Sequence, residues 1–322
     1  MSLKDKVLTE YKKALFSRCD DTGCIYYFSP SDFFGLKAEP IELTAAAGHT
    51  LKGYLYSYDG VRFDDRIIIF EHGMGGGHRA YMMEIERLAR HGYLVLGYDH
   101  TGCMESGGAS TNGFAQSLSD LDLVVRQIKE SPVLGGRKIS VMGHSWGAFS
   151  AMNICAIHPE IDHVVALSGF ISVEAMVKQN LGGLLSSARK AVLRLEKDAS
   201  PDYFGYNAIK SLEGSRVKAL LIYSDNDKTV KPKLHYAPLK KALEGKSNIQ
   251  FMLEHNKGHN PNYTTEAVKY LGEFFKTLNK MKKKGSLGSA QSRSFLMSAY
   301  DWNKMCEQDE LVWEKILGFL DN

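Results

Sequence analysis

The chain has 322 residues, 44% hydrophobic and 24% charged, with 40 basic against 37 acidic side chains and a formal charge of +3. That length can bury one large core and fits a single α/β domain carrying an insertion. The balanced charge argues against a nucleic-acid partner, and no apolar run approaches the roughly 18 residues of a membrane span. Five cysteines, odd in number and irregularly spaced behind an N-terminus with no signal-like apolar region, predict reduced thiols in a cytoplasmic protein.

Residues 4–18 have the pattern of a short amphipathic helix, and a polar, aromatic-rich stretch leads on to about Pro40. Residues 41–44 and 51–58 read as two β segments joined by the turn around Gly48. From there the pattern changes. Short apolar runs recur at 67–70, 94–98, 139–142, 164–167, 220–223 and 249–253, each followed by a stretch of helical period. Runs such as Ile67-Ile68-Ile69-Phe70 are apolar on both faces and belong in the middle of a sheet covered on both sides. Tyr81, Ile85, Leu88 and Ala89 mark one helix face, and Leu121, Val124, Val125 and Ile128 another. Alternating strand and helix predicts a mostly parallel, doubly wound α/β sheet, whose ligands bind at the carboxyl ends of the strands.

Residues 171–206 break the rhythm, with helical pattern but no strand, and read as an inserted helical cap. Val173, Met176, Val177, Leu181, Leu184 and Leu185 give it one apolar face, which is expected both to form the acyl or leaving-group pocket and to pack on the sheet domain. Residues 264–278 read as a helix and 280–293 as a linker, with Lys280, Lys282, Lys283 and Lys284 as a solvated helix end. Asp309 can cap a last helix over 309–320 with Val312, Trp313, Ile316, Leu317 and Leu320 along one stripe. Such a stripe is costly to leave in water and predicts docking, on its own domain or on a second subunit as a dimer contact. The expected organisation is a lead-in over 1–40, a core over 41–170 and 207–278, a cap over 171–206, and a linker and helix over 279–322 packing back on the core.

Gly143-His144-Ser145-Trp146-Gly147 has the form G-x-S-x-G. The pentapeptide alone is a weak signal. Its context is stronger, because it leaves the buried run 139–142 directly and opens a helix-compatible stretch. A strand-to-helix turn this tight projects the serine hydroxyl above the sheet. A serine needs a base, and His259, in a loop just after the run 249–253, is the best placed of eleven histidines. His144 neighbours the serine but is expected to point elsewhere, while His72 and His78 flank and shape a glycine loop. Asp225 and Asp227 both follow the run 220–223, and either carboxylate could orient the histidine. The loop Glu71-His72-Gly73-Met74-Gly75-Gly76-Gly77 can turn amides toward a developing oxyanion, with Met74 and Trp146 as the donors. It has neither the Gly-Lys-Ser/Thr nor the G-x-G-x-x-G of a phosphate loop.

With these four motifs in this order, the chain resembles the α/β-hydrolase superfamily, especially its capped esterase and lysophospholipase-like members, over roughly residues 41–278. The glycine loop resembles the H-G-x-G loop, implying one oxyanion amide at Met74, and Gly143–Gly147 resembles the nucleophile elbow, implying the other at Trp146. Asp227-Lys228-Thr229-Val230 resembles the D-x-x-V acid loop, which favours Asp227 over Asp225. Gly258-His259 resembles the histidine loop. The loop from Asp99 to Ser106 resembles D-x-R-G-x-G-x-S, with Thr101 in place of the arginine and Met104 in place of a glycine. The resemblance implies a serine hydrolase needing no metal or organic cofactor, with a small-molecule carboxylic ester or related acyl compound as substrate. Amide, peptide or thioester cleavage, acyl transfer, and a binding protein that kept only the fold are the alternatives.

Overall fold

The computed structural model describes residues 2–322. Eight strands form one sheet: β1 (Lys37–Thr44), β2 (Thr50–Ser57), β3 (Phe63–Glu71), β4 (Tyr93–Tyr98), β5 (Lys138–His144), β6 (His163–Leu167), β7 (Lys218–Ser224) and β8 (Ile249–Glu254). Their spatial order is β1-β2-β4-β3-β5-β6-β7-β8, and only β2 runs against the others. The first strand begins at Lys37, ahead of the apolar signal at 41, and tolerates Pro40 because an edge strand has one unpaired side.

Successive side chains of a strand point to opposite faces, which explains the continuous apolar runs. Ile67, Ile69, Val141 and Val164 enter one core cluster, while Ile68, Phe70, Met142 and Val165 enter the other. The first cluster is covered by α3 (Gln116–Glu130), α4 (Trp146–Ile154) and the apolar sides of α5 (Val173–Asn180) and α8 (Tyr236–Leu243). The second is covered by α2 (Met82–His91) together with the last helix, Glu310–Leu320.

The insertion holds α5, a 3-10 turn at Gly183–Ala188, and α6 (Arg189–Ala199). Val173, Met176 and Val177 face the main core, whereas Leu184 is 88% exposed. The N-terminal helix α1 (Leu3–Leu15) lies against this insertion, where the Tyr11 hydroxyl donates to Glu196 Oε1 at 2.6 Å.

At the other end, α7 (Ala208–Glu213) precedes β7 and α9 (Thr265–Lys283) follows the histidine loop. The stretch 280–293 is not one open linker. It is shared between the end of α9, a turn, and the start of α10 (Ala290–Ser298), because Ser289 caps the new helix by accepting from the Ser292 amide. A short α11 (Trp302–Met305) then leads to α12 (Glu310–Leu320). Asp309 caps α12 at the amides of Leu311 and Val312, and Trp313, Ile316 and Leu320 are buried against the protein's own sheet.

Candidate active site

Six strands, β3 to β8, run the same way, so the loops that leave them gather along one edge of the sheet. The glycine loop leaves β3, Ser145 leaves β5, Asp227 leaves β7 and His259 leaves β8. Parallel topology thus assembles residues more than a hundred positions apart.

Ser145 sits between β5 and α4 with φ 55° and ψ −108°, a left-handed conformation that non-glycine residues rarely adopt. Neighbouring glycines make the sharp turn fit. A Cβ at Gly147 would lie 2.1 Å from the Glu71 carbonyl oxygen, and one at Gly143 would lie 2.5 Å from that of Gly147. The Ser145 amide donates to Leu167 O at 2.8 Å, which anchors the turn to β6. Trp146 is the first residue of α4, so its amide has no intrahelical acceptor and stays free at the positive end of the helix.

His259 Nδ1 donates to Asp227 Oδ2 at 2.7 Å. Asp227 Oδ1 accepts from the amides of Thr229 and Val230 at 2.7 and 3.0 Å, so both oxygens of this buried carboxylate are engaged. Asp225 faces elsewhere: it accepts from His255 Nδ1 and the Asn256 amide at the surface. The two carboxylates left open by chain position are therefore in different environments, and only Asp227 meets His259.

A second set of bonds joins the loops. His144 Nε2 donates to the His259 carbonyl oxygen at 2.8 Å, so His144 Nδ1 is left to accept, and it accepts from the Tyr81 hydroxyl at 2.9 Å. Tyr81 Oη in turn accepts the Gly73 amide at 3.1 Å. Burial, reinforced by the neighbouring His259, pulls the pKa of His144 down to about 3 and keeps the ring neutral, as this pattern requires. The sequence offered no signal for this chain. Tyr81 has the spacing of an ordinary helix-face residue, and His144 was expected to point away from the site.

His72 braces the glycine loop from below. Its Nε2 accepts the His100 amide at 2.9 Å, which leaves Nδ1 to donate to Gly73 O at 2.8 Å, and burial drives its pKa down to about 3. His78 binds Asp99 through its amide and through Nδ1. Burial alone would raise the Asp99 carboxyl, but the hydrogen bond and charge of His78 outweigh it and leave the pKa at about 2. Thr101, in the place of an arginine, binds Asp120 through both its amide and its hydroxyl at 2.8 Å. Met104 keeps the left-handed conformation of the glycine it replaces, with φ 41°.

The C-terminal tail ties down the histidine loop. Lys257 Nζ contacts both Glu254 and Asp309, the Asp309 amide donates to Asn262 O, and the Thr264 amide donates to Glu307 O. Beside the loop lies a cavity of about 440 Å³ whose lining includes Met74, Tyr81 and His259 but no residue of 171–206. The apolar face of the insertion packs on the core instead. Among the described residues no cluster of His, Cys, Asp and Glu could hold a metal ion, and no helix is long and apolar enough to cross a membrane.

A mostly parallel sheet of this order, with a strained serine at the turn between β5 and α4, defines an α/β-hydrolase. Residues 64–257 match the family model described as serine aminopeptidase, S33; the match spans more than half of the chain, and the protein belongs to this family. Proline iminopeptidase of Saccharolobus solfataricus is 29% identical over 122 residues, which are 37% of this chain and 38% of that enzyme, so the chain spans well under half of this curated relative. Among solved structures, an esterase of Pyrococcus furiosus aligns with TM-score 0.59 at 20% identity, covering 83% of this chain and 98% of its own. The α/β hydrolase GrgF of Penicillium sp. sh18 aligns with TM-score 0.54 at 16% identity over 77% and 97%. At such identities these two establish likeness of fold.

Proposed function

We propose that the protein is a serine hydrolase of carboxylic esters, with Ser145 as nucleophile, His259 as base and Asp227 as the group that orients the histidine. The observation that carries this reading is the Asp227–His259 bond in a loop fastened to His144, the residue immediately before the strained Ser145. Ser145 Oγ attacks the substrate carbonyl carbon while His259 Nε2 takes its proton. The C–O π pair moves onto the oxygen, and the amides of Met74 and Trp146 stabilise the charge that develops there. Collapse of the intermediate expels the alcohol, which receives the proton from His259 and leaves an acyl-serine. Water, deprotonated by the same histidine, then releases the acid.

The family and the proline iminopeptidase relative raise an aminopeptidase as the second reading. Such an enzyme must hold a substrate ammonium, for which a carboxylate is the natural partner. The cavity beside His259 has no carboxylate in its lining; its charged side chain there is Arg79. This favours an ester with an apolar part. A panel of p-nitrophenyl esters and aminoacyl or prolyl p-nitroanilides tests the choice, with a fluorophosphonate label as the readout for Ser145. The esters should have the higher kcat/KM, and Ser145→Ala should abolish both turnover and labelling. Faster cleavage of the anilides would overturn the ester reading, and labelling that survives in Ser145→Ala would overturn the nucleophile.

A further inference from the structure

The cavity beside His259 is walled largely by segments outside residues 64–257. Its volume, about 440 Å³, falls within the range of small-molecule sites, roughly 300–1,000 Å³. Beyond Met74, Tyr81 and His259, its apolar wall is made by Ile25 and Phe28 of the N-terminal lead-in, Leu271 and Phe274 of α9, and Trp302 and Met305 of α11. All six lie outside residues 64–257, which match the family model, so that match says nothing of this wall.

The wall is also built firmly. Phe274 packs edge-on to Trp302 at 5.1 Å, and the Trp302 indole N–H donates to Met297 O at 2.8 Å, so the ring is fixed by two elements. Phe274, Leu296 and Met305 share a small core of their own with Cys24, which joins the lead-in to the tail. The bonds from residues 307 and 309 to the histidine loop then set this wall against His259. The 171–206 insertion contributes nothing here: its apolar residues Val173, Met176 and Val177 are spent on the core, and Leu184 points to solvent.

Resting on the reading of Ser145 as nucleophile, we propose that this cavity receives the hydrocarbon chain of the substrate ester, and that the two ends of the protein, not the insertion, set the length it accepts. The preferred substrate class is an ester with an apolar chain of several carbons or an aromatic ring in place of a small acetyl or methyl group. The chain can belong to the acyl or the alcohol side, since both radiate from the carbonyl carbon that Ser145 attacks, and Met74 and His259 beside it line the cavity.

Gly272 supplies the test. It lines the cavity within α9, and a Cβ there would meet no atom within 4 Å. Gly272→Leu therefore adds a side chain beside the cavity at a position where leucine is the better helix former, and its melting temperature should equal or exceed that of the parent protein. Two series are measured on the full chain: p-nitrophenyl acetate against octanoate, and methyl against octyl acetate. The ratio of kcat/KM for the long over the short ester should fall by about tenfold or more in one of the series, as expected when a few methylenes lose their pocket. Leu184→Ser and Leu185→Ser should leave both ratios at the parental values. Parental ratios in Gly272→Leu, or a shift caused by the Leu184 or Leu185 variants, would overturn the proposal. Ser145→Ala separates the two readings: activity surviving there defeats the nucleophile, whereas a silent Ser145→Ala with unchanged Gly272→Leu ratios defeats the pocket alone.

Discussion

His144 Nε2 donates to the carbonyl oxygen of His259 at 2.8 Å, and through this bond the strand that carries Ser145 sets the height of the histidine loop. The same imidazole accepts from Tyr81, which accepts from the Gly73 amide, so one neutral ring connects three loops of the site. His144 and Tyr81 are positioning residues: each acts through the backbone of another loop.

His144→Phe should lower kcat on the order of 10- to 100-fold, the scale on which small misplacements of reacting groups are felt, while KM stays close to the parental value. His144→Gln keeps a donor toward His259 O and should recover most of the loss. Steady-state kinetics of both variants, with melting curves as a check on folding, decide the matter. Equal activity in the two variants would remove the proposed bond from the mechanism.

Asp227→Asn should reduce kcat by about 10³–10⁴-fold, because the amide favours the wrong tautomer of His259. Asp225→Asn should stay within a few-fold of the parent, since Asp225 serves the surface pair with His255 and Asn256. The measurement is kcat for both variants on one ester. Mild effects from both would mean that another group orients the base.

Glu196 makes stability depend on pH. Burial raises its carboxyl from the ordinary 4.5 to about 7, against the opposing hydrogen bonds from Tyr11 and the Phe114 amide. Between these two values the folded protein holds a proton that the unfolded chain releases. The contribution is therefore fully present below about pH 4.5 and lost as pH rises through 7. Its full size is on the order of 3 kcal/mol, from about 1.4 kcal/mol per pKa unit. Melting temperatures at pH 5, 6, 7 and 8 should show Glu196→Gln with a smaller fall than the parent over this interval. Parallel curves would exclude Glu196 as the source.

Trp313→Ala should destabilise the fold by about 3–5 kcal/mol. The indole is fully buried, stacks beneath Arg87 at 5.3 Å and donates to Gln308 Oε1 at 2.7 Å. Denaturant unfolding gives the value. A loss below about 1 kcal/mol would mean that α12 is dispensable to the second face of the sheet.

Much of this protein was legible in one dimension. The runs 67–70, 139–142 and 164–167 declared buried strands because a side-chain period of two leaves a strand apolar on both faces only when both are covered. The G-x-S-x-G turn declared itself because its two glycines meet a steric demand that is local, set by backbone atoms of the same turn and the adjoining strand. Chain position alone could not choose between Asp225 and Asp227; their hydrogen-bond partners depend on where β8 delivers His255 and His259. The roles of His144 and Tyr81 were hidden for the same reason, since a hydrogen bond across 115 residues leaves no periodicity to read. The placing of the apolar cavity likewise belongs to the tertiary structure. An amphipathic stripe records that a segment must be covered but not by what, so the stripes of the insertion and of the tail looked alike. Only packing decided that the insertion would cover the core, while the tail would both cover the second face of the sheet and wall the cavity beside His259.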